Sequence, residues 1–498
     1  MNLSGIIDRG ALNFADKIAL VHNRMRYTYD HLRSAVDRIA FYLREQGIRR
    51  GDRIAIHMPN CPEWVAAYYG IIRLGAVTVC VSAAYKQKEI EHLLNDSRAS
   101  LLITSDELLS QVPERETVPT IKDVVVWEND PVLASIFETR ATEKEPFVPV
   151  DCHPGDECVI LFTGGTTGTP KGAMLTHRNI LYTAQNVCYH ERAVPDDVAL
   201  CFMPLNHVFG GNHIMNSTVY GCSTLVLHKS FDMDRVLSSI RTDKITRFYS
   251  VPTVFIRLLN TEDSPKYLRS LNYCFSAATS MASEIVRQWQ EKFKLTIHEA
   301  YGMTETSSLV TFNHLYRHRV GSVGTPAGVV EVKIVDDENN EVSPGETGEI
   351  VIRGPNIMKG YFNRPNETKK VLRNGWLHSG DVGRLDEDGY LFIVDRIKDL
   401  IISGGLNVFP TEVEEVLYTH EAIEECAVVG MPHSEYGEAV TAFVKIKQGR
   451  ACSEADLIGF CKARIASYKA PKKILFVDEL PKSPAGKILK REIRASFE

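Results

Sequence analysis

Leu161-Phe162-Thr163-Gly164-Gly165-Thr166-Thr167-Gly168-Thr169-Pro170-Lys171-Gly172 closes a short apolar run, Cys158-Val159-Ile160-Leu161-Phe162, whose length and continuity predict a buried strand. A second strand is expected from Ala173-Met174-Leu175-Thr176-His177. Glycines let the backbone turn tightly and bring its N–H groups close to a ligand. The hydroxyls of Thr163, Thr166 and Thr167 and the ammonium of Lys171 add donors and positive charge, a set that suits a polyphosphate. Taken alone, a Gly/Thr-rich loop between strands is often only a turn. A P-loop would need Gly-Lys-Ser/Thr opening a helix; here Pro170 precedes the lysine and a strand-like segment follows, so the context rejects it.

Working outward, strands alternate with helices. Leu32, Val36, Ile39, Ala40 and Leu43 recur at helical spacing, and Gly47 ends that run as a C-cap should. Arg53–His57, Val77–Val81 and Leu101–Thr104 read as strands, with helices from about Pro62 to Gly75 and from Lys86 to Leu94. Such alternation implies βαβ units and a largely parallel sheet. The pattern returns between Gly221 and Ile256, and a further helix is expected over Ser283–Phe293. From Val330 short alternating runs separated by turn dipeptides predict a smaller antiparallel sheet. A helix is expected from Thr411 to Tyr418, with Thr411 as its N-cap.

At 498 residues the chain is too long for a single compact core, and two or more domains are expected. A net charge of −6 argues against a general nucleic-acid binder. From Lys462 onward, however, ten Lys/Arg face four Asp/Glu; a solvated face is the plain reading and an anionic ligand the sharper one. Eleven cysteines are scattered with no C-x-x-C pair, as expected of free thiols in a reducing compartment. No signal-peptide pattern and no run of the ~18–20 apolar residues of a membrane span is visible, so the expected location is the cytoplasm. Peripheral contact with a membrane stays open if the substrate is a lipid.

Six further segments carry chemistry. Pro204-Leu205-Asn206-His207-Val208-Phe209-Gly210-Gly211 puts a histidine in an apolar stretch, where a satisfied core histidine is the commoner case. Tyr301-Gly302-Met303-Thr304-Glu305 sets an aromatic and a glycine before adjacent hydroxyl and carboxylate groups. Ser379-Gly380-Asp381 and Asp395-Arg396-Ile397-Lys398-Asp399 follow, then Ser403-Gly404-Gly405, and the tail ends in Pro484-Ala485-Gly486-Lys487. A lysine in a Pro/Gly loop is ordinarily just an exposed charge. With the Gly/Thr loop, this ordered set closely resembles the adenylate-forming (ANL) superfamily over essentially the whole chain, and most nearly its acyl-CoA synthetases.

The resemblance implies an α/β fold. Its large N-terminal domain (1–395) has mixed and parallel sheets flanked by helices plus a small antiparallel subdomain; a mobile α+β C-terminal domain (396–498) hinges near 396–398, at Lys398. It also implies site roles. ATP would be bound by Thr163, Gly164, Gly165, Thr166, Thr167, Gly168, Lys171, Ala278, Tyr301, Asp381 and Arg396, with Tyr301 on adenine and Asp381 on ribose. Thr304 would touch the α-phosphate, Glu305 would hold Mg²⁺, and Lys487 would bridge carboxylate and α-phosphate. His207, Phe209 and Gly210 would lie at the acyl group, and Ser403, Gly404 and Gly405 on the coenzyme A path. The implied reaction joins a carboxylic acid to coenzyme A through acyl-AMP, the acid being a fatty acid or similar apolar carboxylate. An aryl acid, or a carrier-protein phosphopantetheine as acceptor, are the alternatives, and a homodimer stays open. No acidic residue stands in Pro204–Gly211 to pair an α-ammonium, which disfavours amino acids. Two departures stand out: Gly164 replaces the family's usual serine, and the proline usual after the strand ending near Val81 is missing.

Overall fold

The computed structural model describes residues 1–138, 145–163, 170–279, 281–483 and 486–496. Two seven-stranded sheets form the large domain. In the first, strands Ile297–Glu299, Tyr273–Ser276, Arg247–Ser250, Val198–Cys201, Thr224–Leu227 and Ile18–His22 run parallel in that spatial order, and antiparallel Met25–Thr28 forms the edge. In the second, Glu157–Thr163, Val77–Cys80, Arg53–His57, Leu101–Thr104 and Asp123–Val126 are parallel. Lys171–Thr176 adds antiparallel to the first of these, and the two-residue strand Gly360–Tyr361 pairs on its outer side.

Between the sheets lie two helices whose sequences suit different depths. Tyr29–Glu45 buries one apolar stripe against the first sheet. Pro62–Arg73 is buried on nearly every side, including Trp64, Tyr68 and Tyr69, and packs on Arg53–His57 and Val77–Cys80. The two helices pack on each other, giving a sheet–helix–helix–sheet sandwich.

An antiparallel sheet of Glu331–Val335, Gly348–Arg353, Trp376–Leu385, Leu372–Arg373 and Leu391–Arg396 completes the large domain. The small domain has its own sheet, built on the long hairpin Ile423–His433 and Gly437–Ile446, and its own apolar core around Val413, Leu417, Val428, Val444 and Leu457. The expected helix after residue 410 is Pro410–Tyr418, but its N-cap is Phe409, and Thr411 is its second residue. Proline at the first helical position sets the start. The backbone N–H and hydroxyl of Thr411 both donate to Asp395 at 3.0 Å, tying the small domain to the end of Leu391–Arg396.

Candidate active site

The strands that flank the Gly/Thr stretch, Glu157–Thr163 and Lys171–Thr176, pair antiparallel, with Thr163 opposite Lys171. Gly164, Gly165, Thr166, Thr167 and Gly168 lie outside the described residues. Lys171 Nζ sits 2.8 Å from Glu367 Oε2 and 5.4 Å from the centre of the Tyr361 ring. That bond and a second from Lys370 hold the Glu367 carboxyl down to about 2. Tyr361 Oη in turn donates to Glu305 Oε1 at 2.7 Å. The cation, ring and carboxylate thus form one row at the mouth of the hairpin. Thr304 and Glu305 occupy a single 3₁₀ turn, Thr304–Thr306. Gly302 precedes it where a Cβ would fall 1.6 Å from the Ser308 carbonyl oxygen, so only glycine fits.

Tyr301, almost fully buried, donates its hydroxyl to Asp381 Oδ2 at 2.6 Å. Arg396 Nε lies 3.2 Å from Asp381 Oδ1, because the two residues are direct partners in the Trp376–Leu385/Leu391–Arg396 ladder. Ser379 Oγ receives the Asp381 N–H at 3.1 Å and fixes the turn. Ala278 follows strand Tyr273–Ser276 with φ +74°, a left-handed conformation unusual for alanine.

Lys487 comes to this cluster from the small domain. Its hairpin is closed by Ser483, whose N–H donates to the Lys487 carbonyl at 2.8 Å. Gly486, at φ +80°, lies against Val251 of the large domain, where a Cβ would be 2.8 Å from Cγ2. Burial, then the nearby Arg396, lowers the Lys487 ammonium to about 7, with Asp381 opposing. Burial and Lys487 together lower His207 to about 4. His207 Nδ1 accepts the Phe209 N–H at 3.2 Å, so the neutral ring carries its proton on Nε2. Phe209 and Gly210 open the π-helix Phe209–Asn216. Gly210 packs so tightly that a Cβ would meet the Pro204 carbonyl oxygen at 2.2 Å.

The other expected loop is elsewhere. Gly404 and Gly405 turn the hairpin Ile401–Ser403/Leu406–Val408 with φ of +60° and +79° and are exposed, while Ser403 is buried beneath them. Lys398 lies exposed in the 3₁₀ turn Ile397–Asp399. In this arrangement Lys487 is at the centre and the glycine hairpin is in solvent.

A cleft of about 410 Å³ opens between the domains, lined by Met281, Ser283 and Glu299 on one side and Thr411, Glu412 and Glu415 on the other. Ser283 N–H donates to the Glu415 carboxylate at 3.3 Å. Glu299 Oε1 accepts the Met281 N–H at 3.3 Å, and Oε2 has no partner among the described residues. Burial above all, with Glu415 adding, raises Glu299 to about 8. Its folded-state pKa therefore exceeds its unfolded one. The stabilisation this carries is complete below the unfolded pKa and is lost as pH rises through about 8. Glu299→Gln is expected to flatten that loss, on the order of 3–5 kcal/mol, in melting curves recorded from about pH 5 to about pH 9.

Sequence reading missed Tyr361, Glu367, Glu299 and Glu415. The strand holding Tyr361 has two residues and no periodicity to detect, and Glu367 meets Lys171 across 196 positions.

Comparisons with known proteins give the family. The AMP-binding enzyme profile matches residues 7–362, and the AMP-binding enzyme C-terminal domain profile matches 412–487. The chain is 34% identical to a long-chain-fatty-acid–CoA ligase of Bacillus subtilis (strain 168), covering 99% of this chain and 94% of the relative. It is 36% identical to a feruloyl-CoA synthase of an Amycolatopsis species, with 96% of each covered. The solved anthranilate CoA ligase AuaEII in complex with anthranoyl-AMP superposes with a TM-score of 0.94 at 29% identity, over 100% of this chain and 97% of that one. The chain belongs to the AMP-binding enzymes of the adenylate-forming superfamily, and within them to the ATP-dependent, AMP-forming acid–CoA ligases.

Proposed function

We propose that this centre activates a hydrophobic carboxylic acid by joining it to the α-phosphate of ATP, releasing pyrophosphate, and then passes the acyl group to the thiol of coenzyme A, releasing AMP. The observation that carries the residue roles is the convergence of Lys487, from the small domain, on Asp381, Arg396 and His207 of the large one. Tyr301 would carry adenine and Asp381 the ribose hydroxyls. His207 would offer Nε2–H to the acid's carboxylate, and Lys487 would bridge that carboxylate and the α-phosphate. Its ammonium and the hairpin's donors would meet charge as it grows on the phosphates, in a site that excludes water. Thr304 would add a hydroxyl there.

The donor set fits magnesium held mainly by its substrate. Glu305 has one oxygen engaged by Tyr361, leaving the other for a hard cation. Among the described residues no group of three or more His, Cys, Asp or Glu forms a protein-only metal site. Phosphate oxygens and water would therefore supply most ligands, and bound magnesium would supply neutralisation of phosphate charge. For the second step the small domain would turn about Lys398, withdrawing Lys487 and bringing in Ser403, Gly404 and Gly405; such a turn can limit turnover.

Release of Lys171 from Glu367 is part of this reading. Glu367→Gln is expected to lower the KM for ATP about two- to fivefold, the worth of a partly exposed ion pair, in steady-state assays at saturating acid. A raised KM would mean that Glu367 positions Lys171 instead.

The test of the function itself is incubation with ATP, Mg²⁺ and a panel of fatty, benzoic, cinnamic and amino acids, with and without coenzyme A, read by mass spectrometry. Acyl-CoA with AMP supports the proposal. Acyl-AMP that accumulates and never passes to coenzyme A points to a carrier protein, and no adenylate from any acid overturns it.

A further inference from the structure

Resting on the reading above, we propose that Glu415 is a positioning residue for the first half-reaction: its carboxylate, on the small domain, caps the large-domain helix Ser283–Phe293 and so holds the small domain where Lys487 meets Asp381 and Arg396. That helix has no side-chain cap from its own segment. Its N-cap is Ala282, among the poorest residues for that place. Instead the Ser283 N–H donates to both Glu415 oxygens, at 3.3 Å and 3.4 Å, across 132 positions of chain. A carboxylate there also gains from the helix dipole. Burial raises the Glu415 carboxyl, and the Ser283 N–H and then Arg287, one turn further along the same helix, oppose that rise. Neighbouring Glu299, raised to about 8 chiefly by burial, is mostly protonated near pH 7 and so repels Glu415 little.

The small-domain helix Pro410–Tyr418 turns one face to the large domain. Thr411, Glu415 and Tyr418 share it at i, i+4, i+7 spacing. Thr411 bonds Asp395, beside the hinge turn, and Tyr418 packs against the apolar cores of both domains. Glu415, between them, makes the charged contact to the helix Ser283–Phe293. A turn about Lys398 carries the whole face away, so the Ser283 bond belongs to the arrangement in which Lys487 is at the centre. Glu415 therefore acts through the placement of Lys487 and not on the substrates.

The test measures the two half-reactions separately in the full chain and in Glu415→Ala, Glu415→Gln, Ser283→Pro and Ser283→Ala. The first is ATP–pyrophosphate exchange with the acid that wild type activates; the second is transfer of that acyl group to coenzyme A from ready-made acyl-AMP. Glu415→Ala should slow exchange about tenfold, the low end for a hydrogen bond to a charged group. Transfer should be equal or faster, because the competing docked arrangement is weakened. Ser283→Pro removes the donor alone: proline suits the first helical position, and Ala282 at ψ 130° is already extended, as proline requires of its predecessor. It should reproduce the Glu415→Ala split with no fall in Tm, and the two changes together should cost no more than either alone. Glu415→Gln, which keeps an acceptor without the charge, should fall between, and Ser283→Ala, which keeps the N–H, should match wild type. Buried Ile285, Val286 and Trp289 hold the helix in place through these changes. Equal loss in both half-reactions, or unchanged exchange in both Glu415→Ala and Ser283→Pro, overturns the inference while leaving the ligase reading intact. If wild type adenylates no acid, the ligase reading itself fails.

Discussion

Replacing Lys487 by alanine is expected to slow acyl-adenylate formation by about 10²–10³-fold, the cost of removing one preorganised charge from developing negative charge. Transfer from supplied acyl-AMP to coenzyme A should be nearly unaffected. The separation follows from the geometry. Lys487 is carried on a hairpin of the small domain whose neighbour Lys482 is anchored on buried Glu425 at 2.7 Å, so the hairpin survives the change. If the domain turns for the second step, the ammonium leaves with it. The pH profile gives an independent check. With the free-enzyme ammonium lowered to about 7, its charged form is lost as pH rises through that value. Hence kcat/KM for ATP should fall above about pH 7, while kcat, governed by the complex in which phosphate favours the ammonium, should hold to higher pH. ATP–pyrophosphate exchange measures the first step and thiol transfer the second. Equal loss in both half-reactions would mean that Lys487 does not act in one state alone.

What could be read from the sequence follows from range. Both Gly/Thr-flanking strands, the helix Ser283–Phe293 and the change to antiparallel pairing after Val330 are local patterns, and the structure has each of them. Asp381 and Arg396 lie on adjacent strands of one hairpin, where register alone makes them partners. The row Lys171–Tyr361–Glu305 was hidden because its members come from a hairpin end, a two-residue strand and a single turn. No periodicity marks such elements. The π-helix was equally silent, since two adjacent glycines carry no helical signal, whereas here they let a helix press against the carbonyls of Pro204 and Leu205. Glu191 is the last residue of the helix His177–Glu191, a position that carries no signal of its own. Only tertiary packing shows it sealed against His213 and Arg247. Thr411 failed as an N-cap for a related reason: its hydroxyl is spent on Asp395, 16 residues back, and Pro410 starts the helix without it.

Asp381→Ala is expected to raise the Kd for ATP by at least about 10²-fold, and Asp381→Asn by less. Two hydrogen bonds to a charged acceptor, each worth about 1.5–3 kcal/mol, would be lost with the carboxylate if it holds both ribose hydroxyls. Asparagine keeps one acceptor oxygen and so part of that binding. The carboxylate already accepts from Tyr301 and pairs with Arg396, yet its two oxygens offer about four acceptor sites, so a diol can be added without breaking either contact. Alanine would leave the buried Tyr301 hydroxyl without its partner as well, and a lower melting temperature should accompany the weaker binding. A purely structural role would show only that second effect. The discriminating readout is the coupling to Lys487. Asp381 is the group that most opposes the lowering of the Lys487 ammonium. Without it, burial and Arg396 meet less opposition, Asp399 alone remaining among the carboxylates that raise it, and the fall in kcat/KM for ATP should move to lower pH than in wild type. Calorimetric titration gives the affinity, and the pH profile of pyrophosphate exchange gives the shift. An unmoved profile with weakened binding would separate Asp381 from Lys487 and confine it to the ribose.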